Sequence, residues 1–184
     1  MRTPAQEIWL RGNVRPAALL VAAAFAAGTA LAVLAVLPPT RALGLPVAIV
    51  FAVVAGPLVA GLALAGSRPR LARRGGVLRV RLAPLAAHDV PLESVECFFM
   101  GSHVLPAPDG RDDLPGQRVG TLVMRIAERA TAWQARPTFA PWGTWAEGAV
   151  VFDGRWCEPL SVDLARRLSG RLVEAKRESA ERDA

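Results

Sequence analysis

Two long runs of residues without any charge dominate the first part of the chain. The first covers residues 16–37, which is 22 residues, and the second covers residues 42–66, which is 25 residues. As α-helices they would be about 33 and 37 Å long, and the hydrocarbon core of a bilayer is about 30 Å thick. Helix is favoured despite Pro46 and Pro57, because a spanning segment must satisfy its own backbone hydrogen bonds. Each run is therefore predicted to span a membrane.

Two other interpretations of these runs, a cleaved signal peptide and a buried helical hairpin, fit the sequence less well. A cleaved signal peptide has an apolar core of about 7–15 residues, which is shorter than the first run, and it needs no second run behind it. A helical hairpin buried inside a soluble protein normally shows amphipathic helices, and neither run is amphipathic. The sequence therefore favours a transmembrane helical hairpin over residues 16–67.

Small residues recur at four-residue spacing in both runs. They are Ala24, Gly28 and Ala32 in the first, and Ala52, Gly56 and Ala60 in the second. Such faces let helix backbones approach closely in lipid, although alanine-rich segments also produce them by chance. The hairpin is thus a candidate surface for homo-oligomers, and the Gly56-Pro57 pair predicts a bend in the second helix.

The positive charge of the chain lies around the hairpin. Residues 1–88 hold ten arginines and one acid, a net charge of +9, whereas residues 89–184 hold 12 basic and 15 acidic residues, a net charge of −3. Only Arg41 lies between the two runs, so the positive-inside rule places both termini in the cytoplasm. This pattern predicts a multi-pass protein of the cytoplasmic (inner) membrane. It does not predict nucleic-acid binding, because the downstream half is acidic.

Four arginines follow the second run at positions 68, 70, 73 and 74. Clusters of this kind bind anionic lipid headgroups, with about 1 kcal/mol per basic residue near the membrane surface. The alternative, that these arginines only set the topology, is favoured. Residues 68–75 are therefore taken as an arginine-rich junction, with Arg68, Arg70, Arg73 and Arg74 as candidate headgroup contacts.

The segment before the hairpin, residues 1–15, is expected to be cytoplasmic. Thr3 to Gln6 has the spacing of a capping box, with Pro4 at the first helical position. This pattern predicts a short interfacial helix that holds Trp9 at headgroup level, and a disordered tail is the alternative.

The remaining part of the chain, residues 76–184, alternates like a set of strands. Strands are predicted at residues 77–82, 91–100, 119–127, 148–152 and 155–158, with a turn-like link at 84–90 and an exposed loop at 102–117. In the second strand, Val95, Cys97 and Phe99 are expected to share the buried face. Asp153-Gly154 predicts a tight turn that pairs the last two strands.

The C-terminal segment is predicted to be an amphipathic helix over residues 161–180. Ser161 caps it, and Leu164, Leu168, Leu172 and Ala175 form one apolar stripe. Strands followed by a closing helix define an α+β domain. The expected architecture is thus a transmembrane hairpin followed by a β-rich antiparallel domain closed by this helix.

Part of this pattern resembles bacterial membrane proteins that carry a pleckstrin-homology-like (PH-like) domain. The resemblance rests on Arg73–Val80, on the step Val90-Pro91-Leu92-Glu93-Ser94-Val95, and on the helix from Ser161. It implies a barrel of seven strands with a C-terminal helix, and a role in partner binding or scaffolding rather than a defined reaction. The chain departs from that pattern, with five predicted strands and the insertion at 102–117.

No pattern in the sequence indicates catalysis, a metal site or a cofactor. The two histidines and two cysteines lack metal-ligand spacing, and no nucleotide-binding or nucleophile motif occurs.

Four tryptophans lie within residues 133–156, and core is favoured for Trp145 and Trp156. Trp142 is a candidate partner contact, with the core as the equal alternative. The sequence therefore favours a non-catalytic, protein-binding or scaffolding module at the membrane. Anionic-lipid or small-ligand binding is the alternative, and an enzyme with an unrecognised site is the remote one.

Overall fold

The computed structural model of the protein describes residues 6–37, 41–104 and 118–183. These residues fall into two compact units. A helical unit covers Asn13–Arg68, and a β-rich unit combines the residues up to Gly12 with those from Pro69 onward. Most of the predicted exposed loop, residues 105–117, lies outside the described residues.

The helical unit has the predicted hairpin. Helix α1 covers Arg15–Val36, and the second arm runs from α2, Arg41–Val50, through a π-helical turn, Phe51–Ala55, into α3, Gly56–Ser67. Helix α1 packs against both α2 and α3. The approach is closest at Gly44, where an added Cβ would lie 2.9 Å from the backbone of Ala35.

The π-helical turn lies directly before Gly56-Pro57, the pair at which a bend is predicted. Proline has no backbone N–H, and its ring crowds the carbonyl four residues earlier, here that of Val53. One extra residue in the turn relieves this crowding. Accordingly, the N–H of Gly56 donates to the carbonyl of Phe51, five residues back.

Both arms of the hairpin are long and apolar enough to cross a membrane. The candidate spans are Arg15–Val36 and Pro46–Ser67, and none of the most apolar window of either is buried. Large apolar side chains are exposed on α1, including Phe25 at 77%. An outward apolar surface of this kind does not fit the interior helices of a soluble protein. It is the surface expected of helices in contact with lipid.

The β-rich unit contains two four-stranded antiparallel sheets. The first has the order β1-β2-β3-β4 and the second the order β5-β6-β8-β7. No closure of the two sheets into a barrel is seen among the described residues. The strands are β1 Glu7–Leu10, β2 Leu71–Arg74, β3 Val77–Val80, β4 His88–Pro91, β5 Val95–Val104, β6 Arg118–Ile126, β7 Gly143–Ala146 and β8 Ala149–Asp153.

The N-terminal segment is a strand of this domain, so the predicted interfacial helix is wrong over its described part. In β1, Glu7 pairs with Arg73, Ile8 with Ala72 and Leu10 with Leu71. Trp9 is 3% exposed and packs edge-on against Phe98. Burial of Trp9 and Leu10, which is worth several kcal/mol, favours this strand over a helix at the membrane surface. The first three residues of the capping pattern lie outside the described residues.

Two of the three side chains expected to face the core from β5 do not. Val95 is buried, but Cys97 and Phe99 are exposed, and Phe98 is buried in their place. The pairing with β6 shifts register between Val95 and Cys97, which marks a bulge at Glu96. Because strand side chains alternate with period two, one extra residue exchanges the two faces beyond it.

The last hairpin turns at a different place from the one predicted. Residues 154–156 form a 3-10 turn rather than a strand, and Asp153 accepts a hydrogen bond from the N–H of Arg155. The β7–β8 turn lies at Glu147 and Gly148, which both have positive φ, 51° and 69°. Positive φ at both central residues is typical of a two-residue type I′ turn, which suits the twist of paired strands.

The link predicted at 84–90 is also shorter than expected, because its last three residues belong to β4.

The C-terminal helix, α4, covers Val162–Asp183 and confirms its prediction closely. The Ser161 hydroxyl accepts a hydrogen bond from the N–H of Leu164 at 3.1 Å. All four residues of the predicted stripe are buried. Ser169 contacts both backbone groups of Phe98, so α4 packs beside β5.

Candidate functional site

The four candidate arginines do not form one accessible basic surface. Arg68 is exposed and ends the helical unit, whereas Arg70 is fully buried in the β-rich unit. Arg73 is 12% exposed in its side chain and pairs with Glu178 of α4 at 2.7 Å. Arg74 donates to the Gln6 side chain at 3.0 Å. Half of the junction 68–75 is strand β2, in which successive side chains point to opposite faces of the sheet. The prediction of a headgroup cluster is therefore wrong for Arg70 and unsupported for the group as a whole.

Arg70 stacks instead on the tryptophan that was the candidate partner contact. Its guanidinium carbon lies 3.5 Å from the centre of the Trp142 ring, and its Nε donates to the Trp156 carbonyl at 3.3 Å. Trp142 is only 4% exposed, so it is a core residue and offers no surface to a partner. A flat guanidinium on an indole face is a favourable cation–π arrangement.

The free-energy cost of burying the Arg70 guanidinium is only partly offset by its contacts. Its Nη1 and Nη2 atoms find no hydrogen-bond partner among the residues that the structure describes. The pKa of Arg70 is lowered from 12.5 to about 10, chiefly because burial disfavours the charged form; nearby Cys157 raises it and nearby Arg81 lowers it. Such a group is expensive to bury, and stacking on Trp142 recovers part of that free energy.

The two cysteines differ sharply in environment. Cys157 is buried and Cys97 is exposed. Burial raises the pKa of Cys157 from 9.0 to about 12, although Arg70 nearby favours its thiolate. Since the thiolate is the reactive form, Cys157 is expected to be chemically inert in the folded protein.

At about pH 8, iodoacetamide is expected to modify Cys97 while leaving Cys157 intact. A pKa of about 12 instead of 9.0 reduces the thiolate of Cys157 about 1,000-fold, and burial restricts reagent access further. Peptide mass mapping after timed labelling measures both sites, and labelling in denaturant, where both should react, is the control. Equal labelling of the two thiols in the folded protein would contradict this environment.

Of the other three tryptophans in residues 133–156, Trp145 is buried, and Trp133 and Trp156 are half-buried. Trp145 is 4% exposed, as expected, and its Nε1 donates to the Trp133 carbonyl at 2.8 Å. Trp133 and Trp145 are stacked with ring centres 6.2 Å apart. Trp156, also expected in the core, is only half-buried. Trp142 and Trp145 are thus core residues, whereas Trp133 and Trp156 lie partly at the surface.

A cavity with both apolar and polar lining residues lies on one face of the second sheet. Strand pairing sets Gly101, Thr121 and Asp153 in one row across β5, β6 and β8. The residues of this row lie on the sheet face opposite to that of Leu122 and Phe152, which are fully buried. The cavity has a volume of about 460 Å³. Its lining comprises Gly101, Ser102, His103, Thr121, Val123, Ala140, Gly143, Thr144, Val151, Asp153 and Arg155.

A charged cluster occupies one end of this cavity. Asp153 accepts from the Arg155 guanidinium at 2.7 Å and from the Arg155 backbone N–H at 2.8 Å. Burial pushes the pKa of Asp153 upward, but the hydrogen bonds and charge of Arg155 outweigh it and hold that pKa below 3.8. The Nε2 atom of His103 lies 3.7 Å from the same carboxylate. The acid is therefore ionised and held beneath two basic side chains.

Sequence reasoning missed every charged member of this cavity. Asp153 was assigned to a turn, and His103 and Arg155 lie 50 and 2 residues from it in the chain. Only the register of β5, β6 and β8 brings His103 to Asp153. The one available signal was Gly101, since a glycine inside a strand pattern often marks a close approach.

Within the described residues, no three or more His, Cys, Asp and Glu side chains gather into a group able to hold a metal ion. The absence of a cofactor remains a prediction from the sequence. No family model, curated protein or solved structure matches the chain.

Proposed function

We propose that the protein is a membrane-anchored, non-catalytic module that acts at the cytoplasmic face of the inner membrane. In this proposal the β-rich unit binds a protein partner or organises a membrane complex, and the hairpin holds it at the bilayer. The observation that carries the proposal is the pairing of β1, which precedes the hairpin, with β2, which follows it.

This pairing restricts how the chain can lie in a membrane. Ile8 pairs with Ala72 and Leu10 with Leu71 in one antiparallel ladder. Backbone hydrogen bonds of a sheet cannot form across a bilayer, so both ends of the hairpin must be on the same side of any membrane that it crosses. Only Arg41 lies between the two apolar runs, whereas the other nine arginines of residues 1–88 precede the first run or follow the second, and this difference supports the cytoplasm as that side.

The connections between the two units are short. Residues 11–14 join β1 to α1, and residues 68–70 join α3 to β2. Both ends of the hairpin are thus joined directly to strands of the same β-rich unit. This is the arrangement expected of a scaffold, because a bound partner is brought to the membrane and held there.

The PH-like assignment belongs to the same proposal. Two four-stranded antiparallel sheets and a C-terminal helix support it. The described residues form eight strands rather than the seven that the resemblance implies, and one of them, β1, comes from before the hairpin. We infer that this strand ties a PH-like module to its anchor.

Homo-oligomers through the hairpin are also part of the proposal. All six small residues singled out from the sequence line one open groove along α1 and the second arm. An added Cβ at Gly28 would lie 3.4 Å from the Phe51 ring, whereas one at Gly56 would meet nothing within 4 Å. Close packing of a second hairpin in lipid is compatible with this surface.

The cytoplasmic location makes a direct prediction for Cys97. A membrane-impermeant maleimide is expected to leave Cys97 unmodified in intact bacterial cells and to label it once the inner membrane is permeabilised. Cys97 suits the test because it is exposed in the β-rich unit. Labelling in intact cells would place the domain outside and overturn the proposed topology.

Partner binding is tested best by site-specific photo-crosslinking in native membranes. The chain has a single lysine, Lys176, so amine-directed crosslinkers sample it poorly. A photoreactive residue at Leu85 or Phe99, which are 96% and 46% exposed, is expected to give a discrete heavier band. The same residue at the buried Leu122 serves as the control. Crosslinks to lipid alone from every exposed position would argue against a protein partner.

A further inference from the structure

We propose that a second cavity, between β1 and α4, binds a phosphate group, carried either by a lipid headgroup or by a small soluble phosphate compound. The cavity has a volume of about 260 Å³, and all of its lining residues belong to the β-rich unit. The inference goes beyond the proposed partner binding and does not depend on it, because it rests on the side chains around this cavity alone.

The lining of this cavity is rich in positive charge. Three arginines, Arg11, Arg167 and Arg171, lie on it together with a single acid, Glu158. Arg167 and Arg171 are four residues apart on α4, and like charges at this spacing destabilise a helix. An anion bound beside them offsets this repulsion, and a guanidinium is the side chain that best matches the oxygens of a phosphate.

These guanidinium groups are not committed to strong ion pairs. The side chains of Arg11 and Arg167 make no ion pair or hydrogen bond with any other residue that the structure describes. Arg171 is held loosely, with its Nε 3.8 Å from the Glu7 carboxylate and its Nη1 3.5 Å from the Ile8 carbonyl oxygen. Both distances exceed those of a good hydrogen bond. A ligand can therefore be bound without breaking a close contact of any of the three.

A buried donor on the cavity wall also lacks a partner. Trp9 lines the cavity and is 3% exposed, and its Nε1 finds no hydrogen-bond acceptor among the described residues. An indole N–H can only donate, and an unpaired donor in the interior costs free energy. An oxygen of a bound phosphate is the acceptor that this N–H lacks. The arginines and Trp9 thus call for the same kind of ligand, an anion with several acceptor oxygens.

The backbone fixes Arg11 and the acid of the cavity in place. The Arg11 carbonyl accepts the N–H of Glu158 at 3.0 Å, and the Arg11 N–H donates to the Glu158 Oε1 at 2.7 Å. Even with Glu158 and the neighbouring Glu7 both ionised, the three arginines leave one positive charge in excess. This charge suits a phosphodiester or a singly protonated phosphate monoester.

The placement of the donors favours phosphate over a carboxylate. Trp9 and Arg11 come from β1 and its C-terminal end, whereas Arg167 and Arg171 come from α4. A tetrahedral phosphate can accept hydrogen bonds from two sides of a cavity at once, but the two oxygens of a carboxylate lie in one plane and suit a single fork of donors. A cavity of about 260 Å³ is also below the roughly 300–1,000 Å³ of sites for drug-sized ligands, as expected for one small anionic group.

The indole N–H of Trp9 provides the readout for the test. The full-length, nitrogen-15-labelled protein is kept in a maltoside detergent, which contains no phosphate, and the Trp9 indole resonance is the one that disappears in Trp9→Phe. Inorganic phosphate is titrated in one arm, with sodium chloride at equal ionic strength as control. Phosphatidic acid is mixed into the micelles in the other arm, with uncharged diacylglycerol as control.

A saturable shift of the Trp9 resonance is expected in at least one arm. A shift with inorganic phosphate supports a soluble phosphate compound as the ligand, and a shift with phosphatidic acid alone supports a lipid headgroup. No saturable shift in either arm, or an equal shift with chloride or diacylglycerol, would overturn the proposal.

Two neighbouring arginines of α4 locate the binding. Arg167→Gln is expected to weaken phosphate binding at least about five-fold, because a charge-assisted hydrogen bond is lost. Arg166→Gln removes the same charge one residue earlier, where Arg166 lies 3.4 Å from Asp163 and is not part of the cavity lining, and should leave the affinity unchanged. Both arginines are exposed, so neither substitution should impair folding. Equal phosphate affinity of the two variants would assign the shift to general surface charge and overturn the proposal.

Discussion

Replacement of Leu10 by alanine is expected to lower the free energy of unfolding of the β-rich unit by about 2–5 kcal/mol. Leu10 lies before both membrane spans, yet it is fully buried, and it pairs with Leu71, which is fully buried as well. The Leu10 carbonyl also accepts the N–H of Arg70 at 2.9 Å. Truncation leaves a cavity at the junction of these contacts, and a packed sheet collapses poorly around such a cavity.

The neighbouring Ile8→Ala variant is the matched control. Ile8 lies in the same strand but is 43% exposed, so its truncation should change the unfolding free energy by less than about 1 kcal/mol. Urea unfolding of the full-length protein in nanodiscs, followed by tryptophan fluorescence, measures both variants. Equal stability of the two variants would mean that β1 is not part of the sheet, and the topological argument for the hairpin would fail with it.

The hairpin and the C-terminal helix were predictable because their signals are local. A spanning helix is recognisable from composition and length alone, and residues 16–37 and 42–66 meet both conditions without reference to a partner. In α4, Leu164, Leu168 and Leu172 are four residues apart, which is the spacing of side chains on one face of a helix. Ser161 marks its start by the same local chemistry.

The strands were harder to predict from the sequence because the strands with which they pair are far away along the chain. Nothing near Trp9 indicates that its strand pairs with residues 71–73, which follow the whole hairpin. The bulge at Glu96 exchanged the expected faces of Cys97 and Phe98, and a bulge has no reliable local signature. Glu147-Gly148 lacks the Asn-Gly or Asp-Gly pair that usually marks this turn, whereas Asp153-Gly154 has it and forms a different structure.

The candidate site was missed for a related reason. The sequence drew attention to the arginines at 68–74 because they are adjacent, but adjacent residues of a strand point to opposite faces. Arg70 therefore lies in the core while Arg73 reaches Glu178. Conversely, His103 and Asp153 meet only through the register of three strands, which a single sequence does not reveal.

Substitution of Gly143 by alanine is expected to destabilise the β-rich unit by about 3–5 kcal/mol. Gly143 begins β7 with φ of +147°, a conformation that disfavours any side chain. An alanine Cβ built there would overlap the Val151 carbonyl oxygen of the paired strand and would approach a Leu82 methyl carbon at 3.2 Å. Neither obstacle is a flexible side-chain end that moves away at little cost, since one is backbone and the other belongs to a buried leucine.

The strain should separate β7 from β8 and expose Trp145, so a red shift of tryptophan emission is expected together with the loss of stability. Gly76→Ala is the matched control, because a Cβ at Gly76 would meet nothing within 4 Å and its φ is not in the left-handed region. That variant should stay within about 1 kcal/mol of the parent protein. If both variants unfold at the same urea concentration with unchanged emission, the close approach of β7 to β8 is wrong, and so is the wall of the cavity that Gly143 and Thr144 provide.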